Sequence, residues 1–341
     1  MMSGTSLDGL DLCLSSFYKE GKRWHFDIEV CQTVAYSDEW REKLQIAHTL
    51  PTLDFVALHK SYGKFLGEQA RAFLQQNNAQ ADYIASHGHT IFHQPQRGIT
   101  FQLGDGNTLA AAAHCSTIFD FRSLSVALGG QGAPLVPVGD ALLFADYDAC
   151  LNLGGFANIS YNNATDNRIA FDVCPCNIVL NYLCQTMAQP YDPNGQFAAQ
   201  GTVDNELLVA LNQLDFYTQT GAKSLGREWV ETVIFDIINC CKLSIYDKLC
   251  TFCEHIAMQV AAGSAGKNIM VTGGGAHNDY LMQRIAHHCK GSVHKPSRTI
   301  IDFKEALIFA FLGVLYLHNQ PNCLVSATGG KDCIGGVLVK I

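Results

Sequence analysis

Three glycine-rich turns are the part of this sequence whose residue types and spacing could do chemistry. They read Gly4-Thr5-Ser6-Leu7-Asp8-Gly9, Leu153-Gly154-Gly155-Phe156-Ala157-Asn158 and Thr272-Gly273-Gly274-Gly275-Ala276-His277-Asn278. Glycine lets a backbone approach a ligand closely and adopt positive φ, so successive N–H groups can converge on phosphate oxygens. Thr5 and Ser6 add hydroxyl donors, and Asp8 could hold a hydrated magnesium ion.

Each turn taken alone is more typical of a simple hairpin than of a ligand site. Two phosphate-type turns far apart in the chain, with a third later, favour a nucleotide clamp. The competing nucleotide motifs do not match. The sequence contains no G-x-x-x-x-G-K-[ST], and GDGNTL and GGGAHN both lack the last glycine of G-x-G-x-x-G.

The elements that must position these turns are predicted to alternate between strands and helices. Apolar residues at helical spacing predict helices over residues 53–76, 249–260 and 280–288, and an Ala-rich helix start follows the turn at 104–107. Strands are predicted over residues 83–86, 99–103, 150–153 and 268–272. This order predicts an α/β protein whose mixed sheets are covered by helices.

Composition excludes several other classes of protein. Charged residues are 16% of the 341 residues and apolar residues 48%, so the chain can build large cores and is not expected to be disordered. The net charge of −8, without runs of Lys or Arg, argues against nucleic acid or an anionic membrane as partner. The longest apolar run, residues 306–317, is shorter than the ~18 residues of a membrane span and predicts a buried helix.

The N-terminal residues and the cysteines indicate a cytoplasmic protein. The first residues, MMSGTSLDGLD, have neither a basic start nor an apolar stretch, so no secretory signal is expected. The 14 cysteines are scattered along the chain and are interpreted as mostly reduced core residues.

Eight blocks, in order along nearly the whole chain, resemble the anhydro-N-acetylmuramic acid kinase family of the sugar-kinase, heat-shock-ATPase and actin superfamily. The blocks are GTSLDGLD, SHGHTIFHQP, TFQLGDGNTLA, DFRSLSVALGGQGAPLVP, LNLGGFANIS, FDVCPCN, KSLGREW and TGGGAHN. The resemblance implies two actin-like, ribonuclease H-like lobes around a nucleotide cleft. The first lobe is expected over residues 1–130 with about 320–341, and the second over 131–319.

The resemblance also implies the reaction and its cofactors. ATP and Mg²⁺ would serve to open 1,6-anhydro-N-acetylmuramic acid with water and to phosphorylate it to the 6-phosphate during peptidoglycan recycling. The three turns would be the first phosphate loop, the second phosphate loop and the adenosine loop. The implied ATP contacts are Gly4, Thr5, Ser6, Leu7, Asp8, Gly9, Asp11, Gly154, Gly155, Gly273, Gly274 and Gly275, with Asp8 also holding Mg²⁺.

The family's general base is the Asp of a Phe-Asp-Thr-Gly-Pro-Gly-Asn motif, which corresponds to Asp172 in FDVCPCN. Asp172 follows an apolar strand, and open α/β sheets place their ligands at strand ends. The family's Thr and two Gly are replaced by Val173, Cys174 and Cys176, which could alter sugar recognition. A metal site at Cys174 and Cys176 with Cys184 is open to consideration, although its spacing matches no common zinc pattern.

The implied sugar contacts lie in the other family-like blocks. They are His87, Asp105, Asp120, Arg122, Gln131, Asn158 and Glu305. Arg122 could grip the lactyl carboxylate in a bidentate way, or it could form a structural pair with Asp120. Glu305 could face the sugar, or it could be a first-turn acid favoured by the helix dipole.

Two further groups have open interpretations. His87, His89 and His93 look like a metal cluster, but the family has Gln at the position of His89, so structural and substrate-cleft roles are favoured. Lys223, Arg227 and Glu228 could order the second lobe or contact a ligand directly.

Two alternatives to the kinase interpretation remain open at this stage. One is a kinase of the same fold acting on another amino sugar, and the other is a nucleotide-binding regulator that has lost transfer activity. Family members usually carry a short apolar strand before the first block, so the first turn is expected to lack support and ATP binding to be weakened. A homodimer is possible, and the partners are otherwise ATP and a small amino sugar.

Overall fold

The chain forms two compact units in the computed structural model, which describes residues 1–4, 7–219 and 223–341. One unit consists of Met1–Leu143 with Phe303–Ile341, and the other of Phe144–Asp302. The unit boundaries lie at residues 143/144 and 302/303, against the predicted 130/131 and 319/320. The assignment of a function to each lobe stays a prediction.

The first unit contains strands and helices from both ends of the chain. They are β1 Met2–Ser3, β2 Gly9–Glu20, β3 Arg23–Ala35, α1 Asp38–Ile46, α2 Thr52–Gln76, β4 Ile84–Ala85, β5 His89–Gln94, β6 Ile99–Leu103, α3 Gly106–Ala113, β7 Thr117–Phe119, α4 Ser123–Ala127 and α5 Val136–Leu143. The C-terminal part adds most of α13, a helix over Arg298–Leu317, followed by α14 Val325–Thr328 and β13 Val337–Val339.

Two mixed sheets organise this first unit. One has the order β3-β2-β1-β5-β6, with β1 parallel to β5 and antiparallel to β2, and the other has the order β13-β7-β4. β1 is only two residues long, yet it pairs on both sides, so the first glycine turn does follow a strand. The expectation that the turn lacks this support is therefore wrong.

Helix α2 covers the first sheet because its buried residues recur every three or four positions. Leu58, Tyr62, Leu66, Ala70 and Phe73 form this buried stripe. Glycine brings α2 close to α3, since a Cβ on Gly67 would lie 2.4 Å from the backbone oxygen of Leu109.

The second unit is one continuous segment of chain. It contains β8 Ala149–Leu153, β9 Phe156–Asn162, β10 Arg168–Pro175, α6 Asn177–Gln185, α7 Asn205–Asn212, α8 Asp215–Thr218, α9 Arg227–Trp229, α10 Phe235–Cys240, α11 Ile245–Ser264, β11 Ile269–Thr272, α12 Asp279–His288 and β12 Val293–His294. Its five strands form one mixed sheet in the order β10-β9-β8-β11-β12. Its core includes Leu151, Ile159, Leu180, Phe252 and Val271, all buried.

The predicted fold class, α/β with mixed sheets flanked by helices, is confirmed. The helix predicted over 53–76 is α2, and the apolar run at 306–317 lies in α13, where Leu307, Phe311 and Leu315 are buried. Within the described residues, no helix is both long and apolar enough to cross a membrane.

Candidate active site

The second and third glycine turns meet at one edge of the sheet in the second unit. The turn at Gly154–Gly155 joins β8 to β9, and Gly273 follows β11, which runs parallel to β8 as its neighbour. A Cβ on Gly273, whose φ is +83°, would lie 2.6 Å from Asn152 Oδ1 and 2.9 Å from the Leu153 backbone. Only glycine therefore allows this approach between the two turns.

Backbone N–H groups at the start of α6 donate hydrogen bonds to the second turn. The N–H groups of Cys176 and Ile178 donate to the oxygen of Gly155 at 2.8 and 3.2 Å, and the N–H of Asn177 donates to the oxygen of Gly154 at 3.1 Å. Asn177 Nδ2 donates to the oxygen of Leu153 at 3.0 Å. Gly155 is exposed, and a Cβ there would meet no atom within 4 Å, so a ligand could reach this backbone.

The first glycine turn lies in the first unit, between β1 and β2. Leu7 adopts a φ of +59° and its N–H donates to the oxygen of Gly4 at 3.4 Å, so the chain turns tightly there. A Cβ on Gly9 would lie 2.7 Å from the oxygen of Val34, so β2 and β3 approach closely at this point. The predicted ligands Thr5 and Ser6 lie outside the described residues.

Two other carboxylates of the first unit, Asp8 and Glu305, influence the pKa of Asp11 near this turn. Burial raises the pKa of Asp11 to about 6, and the charges of Asp8 and Glu305 add to this effect, while a 2.6 Å hydrogen bond from Thr33 Oγ1 opposes it. Burial also raises the pKa of Glu305. A bound cation would be stabilised in such a field.

Magnesium fits this turn only together with ligands from outside the protein. Among the described residues, no group of three or more His, Cys, Asp or Glu side chains is placed to hold a metal ion. Mg²⁺ ordinarily takes one or two carboxylates and completes its shell with water and phosphate oxygens. The exposed carboxylate of Asp8 suits that arrangement.

Asp172 is held on β10 by two hydrogen bonds to one segment. Its Oδ2 accepts from the N–H of Leu225 at 2.8 Å, and its own N–H donates to the oxygen of Lys223 at 2.9 Å. The strand register shifts between Asp172 and Cys174, which marks an irregularity at this position. Burial raises the pKa of Asp172, and the Leu225 hydrogen bond opposes that rise.

A polar row on the sheet includes Asp172. Asn152 is paired with Asn158 between β8 and β9, and Asn158 is paired with Asp172 between β9 and β10. Directly opposed residues point to the same face of a sheet, so these three side chains share one face. The structure thus brings together the predicted residues Asp172 and Asn158, and it adds Asn152 and Asn177, which sequence reasoning missed.

Lys223 anchors the segment that holds Asp172. Its Nζ donates to the oxygen of Phe216 at 3.2 Å and lies 4.4 Å from the centre of the Phe216 ring. Arg227 instead pairs with Glu231 one helical turn later, at 2.6 Å, on an exposed surface. Ordering of the Asp172 segment is therefore the role that the structure gives to Lys223.

In the first unit, Arg122 is fixed between His87 and a backbone oxygen. Its Nε donates to His87 Nε2 at 3.0 Å and its Nη1 donates to the oxygen of Gly132 at 2.7 Å. Burial lowers the pKa of Arg122 to about 10 and lowers the pKa of His87 well below its usual range. His87 is consequently neutral, with Nε2 accepting and Nδ1 donating to the oxygen of Gly88 at 2.9 Å.

Asp120 and Asp105 have local structural partners. Among the described residues, no ion pair joins Asp120 to Arg122. Asp120, at a φ of +55°, accepts instead from the N–H of Ser123 at 3.2 Å. Asp105 caps α3 through the Thr108 N–H at 2.8 Å and pairs with Lys60 at 2.9 Å. Burial alone would raise the pKa of Asp105, but the hydrogen bonds from Thr108 and Lys60 lower it to about 2.

The remaining candidates differ in exposure: Gln131 and His93 are exposed, and His89 is buried. Gln131 is exposed, and its backbone N–H donates to the oxygen of Thr328 at 2.6 Å. His89 and His93 are hydrogen-bonded to different partners, Ser3 Oγ at 2.9 Å and Thr100 Oγ1 at 3.2 Å.

Comparison with known proteins identifies a single family. The model of the anhydro-N-acetylmuramic acid kinase family matches residues 1–339. A protein named anhydro-N-acetylmuramic acid kinase from Vibrio vulnificus is 33% identical, with 97% of this chain and 94% of that protein covered. Proteins with the same name from Synechocystis sp. and Rhizorhabdus wittichii are 33% and 35% identical, over 98% and 99% of this chain and 96% and 97% of their own lengths.

Among solved structures, one with partial similarity is titled activator of the 2-hydroxyisocaproyl-CoA dehydratase from Clostridium difficile with bound ADPNP. It covers 51% of this chain and 62% of its own, with 14% sequence identity and a TM-score of 0.34. This similarity is too weak to argue from.

Proposed function

This chain belongs to the anhydro-N-acetylmuramic acid kinase family and is a phosphotransferase, and we propose that it opens 1,6-anhydro-N-acetylmuramic acid with water and phosphorylates it from ATP. The product is N-acetylmuramic acid 6-phosphate, formed in peptidoglycan recycling. The observation that supports this most is Asp172, a half-buried carboxylate with a raised pKa, held by two hydrogen bonds on the polar face of the sheet.

Asp172 acts as the general base in this proposal. A water molecule attacks the anomeric carbon and gives its proton to Asp172, while the bond from that carbon to the 6-oxygen breaks. The freed 6-oxygen then bonds to the γ-phosphorus of ATP, and ADP leaves. Water is a poor nucleophile at neutral pH, so a positioned carboxylate is expected to contribute ~10²- to 10⁴-fold to the rate.

The glycine turns bind ATP through their backbones. Gly154–Gly155 and Gly273–Gly275 contribute from one sheet edge, and Gly4–Gly9 with Asp11 contribute from the first unit. Asp8, together with the phosphates of ATP, would hold Mg²⁺, which would supply positive charge to offset that of the transferring group. Backbone amides bind phosphate without lysine, which agrees with the acidic net charge.

Each unit contains side chains that are proposed to contact the sugar. Asn158 lies beside Asp172 in the register of the sheet. Arg122, with two nitrogens already fixed, is oriented to meet the lactyl carboxylate, and Glu305 carries a charge close enough to influence Arg122. The proposed contacts also include His87, Asp105, Asp120 and Gln131. These residues act chiefly by positioning the backbone and Arg122.

The altered residues of the loop after Asp172 are buried in the second unit. Val173, Cys174 and Cys176 are buried at 3%, 0% and 0% exposure and belong to the core of the second unit. Their side chains replace family residues without facing solvent. The two alternatives, a kinase of another amino sugar and an inactive nucleotide-binding regulator, are distinguished from this proposal by the outcomes of the following test.

The test measures ADP release with anhydro-N-acetylmuramic acid, N-acetylmuramic acid and N-acetylglucosamine. Asp172→Asn keeps an oxygen that can accept from the Leu225 N–H, so the fold is preserved while turnover with the anhydro sugar falls ~10²- to 10⁴-fold. Asp166→Asn is the matched control, because Asp166 is exposed in the turn between β9 and β10.

Turnover that survives Asp172→Asn would overturn the assignment of the base. ATP binding without any sugar-stimulated ADP release would identify a regulator, and turnover with only another sugar would identify a different kinase.

A further inference from the structure

Two cysteines that the proposed reaction does not use face each other across a β-hairpin of the first unit. Cys13 on β2 is paired directly with Cys31 on β3. The Cys31 thiol donates to Cys13 Sγ at 3.2 Å. Both side chains are partly exposed, so small molecules can reach them.

The backbone already has the geometry that a disulfide requires. Directly opposed residues of antiparallel strands have Cα atoms ~4.5–5.5 Å apart, and disulfides join Cα atoms ~4.4–6.8 Å apart. Side-chain rotation would bring the two sulfur atoms from 3.2 Å to the ~2.05 Å of a disulfide bond. Two rungs away on the same ladder, Asp11 pairs with Thr33, whose Oγ1 donates to Asp11 Oδ1 at 2.6 Å, and on the other side of the cysteines the register shifts between Leu14 and Ser15.

The environment divides the two thiols into an attacking and a resolving group. The hydrogen bond from Cys31, with another to Ser15, lowers the pKa of Cys13 to about 7 against the effect of burial. The same hydrogen bond and burial raise the pKa of Cys31. Cys13 is thus substantially ionised at neutral pH, and the thiolate is the reactive form.

Other cysteines lack one part of this combination. Cys323 and Cys333 also face each other across a β-bridge, but they are only 0% and 7% exposed, and burial raises the pKa of Cys333 to about 12. Cys240 is exposed and lies at the end of α10.

We propose that Cys13 and Cys31 form a redox modification site that closes preferentially to an intrachain disulfide when the protein meets a low-molecular-weight disulfide such as oxidised glutathione. The Cys13 thiolate attacks one glutathione sulfur, which forms a mixed disulfide and releases one glutathione thiolate. Cys31 loses its proton to solvent and attacks Cys13 Sγ, which releases the second glutathione. Two protein thiols are oxidised by two electrons, and one glutathione disulfide is reduced to two thiols.

The first step removes two causes of the raised pKa of Cys31. Once Cys13 carries glutathione, the hydrogen bond to its thiolate and the repulsion from that charge are gone, while the effect of burial remains, so Cys31 ionises more readily for the second step. The closed disulfide would join β2 to β3 two rungs from Asp11, on the strand that follows the first glycine turn.

The experiment incubates the folded full-length protein with oxidised glutathione, blocks free thiols, and digests it with trypsin without reduction. Cleavage after Lys19, Arg23 and Arg41 places Cys13 and Cys31 on separate peptides, residues 1–19 and 24–41. We expect these two peptides to be recovered joined by a disulfide, with two of the 14 thiols lost and both restored by dithiothreitol. The rate should rise as the pH is raised from about 6 to about 8, since it follows the Cys13 thiolate.

Three serine variants separate the pair from ordinary surface oxidation. Cys13→Ser and Cys31→Ser should each abolish the joined peptides, whereas Cys240→Ser should leave their yield unchanged. Recovery of wild-type Cys13 and Cys31 only as unmodified thiols, or only as glutathione adducts, would overturn the proposal. Equally fast joining of the peptides that carry Cys323 and Cys333 would overturn its selectivity.

Discussion

At the scale of single residues, Asp172 combines a raised pKa with a fixed orientation. Burial raises the pKa of Asp172, so its carboxylate is a stronger base than an ordinary aspartate. The N–H of Leu225 opposes that rise by stabilising the charged form. The Lys223 oxygen holds the backbone of Asp172, so the carboxylate is oriented before substrate binds. Proton acceptance at neutral pH requires this balance.

Removal of the Leu225 N–H is expected to change the pH dependence of turnover. Leu225→Pro eliminates the donor, so the pKa of Asp172 should rise further. A base works when it is deprotonated, so turnover falls as the pH drops through this pKa. A higher pKa therefore moves the fall to a higher pH.

The matched control for this prediction is Leu225→Ala, which shortens the side chain and keeps the N–H. ADP release measured from about pH 4 to about pH 8 should place the acid limb of Leu225→Pro at higher pH than that of Leu225→Ala. Coincident acid limbs would show that the hydrogen bond does not control the base.

The motifs named Asp172 and Asn158 as site residues, and they did not name the residues that strand register places nearby. Asp172 and Asn158 lie in recognisable blocks, and the structure places them side by side. Asn152 and Asn177 lie in the same blocks but were not named as site residues, because their place beside the second turn depends on which strand and helix end pack there. The sequence left open whether Arg122 forms a structural pair with Asp120. In the structure Arg122 donates to His87 instead, and Asp120 adopts a positive φ.

At the scale of elements, glycine is required where two turns pack together. Gly273→Ala should lower the free energy of unfolding by ~1–3 kcal/mol, because the residue has positive φ and its Cβ would meet the backbone of Leu153. Urea unfolding followed by circular dichroism measures this loss.

Gly155→Ala is the control within the same pair of turns. A Cβ at Gly155 meets no atom within 4 Å, so the free energy of unfolding should change by less than ~1 kcal/mol. If Gly155 lies against ATP as proposed, this variant should bind ATP more weakly while unfolding normally. Equal stability of the Gly273→Ala and wild-type proteins would contradict the close approach between the turns.

Helices and strands could be predicted where the apolar periodicity extended over many residues. They could not be predicted where pairing with other strands determines whether a strand forms. The stripe from Leu58 to Phe73 predicted α2 almost to its ends. β1 was not predicted, since two residues carry no periodicity and become a strand only by pairing with β2 and β5. The strand predicted over 83–86 extends only over Ile84–Ala85, because these are the two residues that pair with β7.

At the scale of the whole molecule, the low charge and high apolar content supply buried cores within each of the two units. One core surrounds Tyr62 and Leu103 in the first unit, and the other surrounds Leu151 and Phe252 in the second. Composition indicated only that the chain can build large cores, whereas the family resemblance implied a first lobe assembled from both ends of the chain. That outcome depends on α13 and β13, whose partners are distant in sequence.

The two units should therefore differ in their ability to fold from a single segment. Residues 144–302 contain every strand of their sheet, so this fragment is expected to unfold cooperatively on heating when produced alone. Residues 1–143 lack β13, which pairs with β7, and lack Phe311, which packs against Phe17 and Trp24 with ring centres 5.4 and 5.3 Å apart.

The fragment 1–143 is expected to show no cooperative transition alone and to regain one when residues 303–341 are supplied as a separate peptide. The physical reason is that the peptide covers the apolar faces of β2, β3 and β7, which would otherwise stay exposed to water. Differential scanning calorimetry of each fragment and of the mixture measures this. A cooperative transition of residues 1–143 without the peptide would show that β13 and the second half of α13 are dispensable for that core.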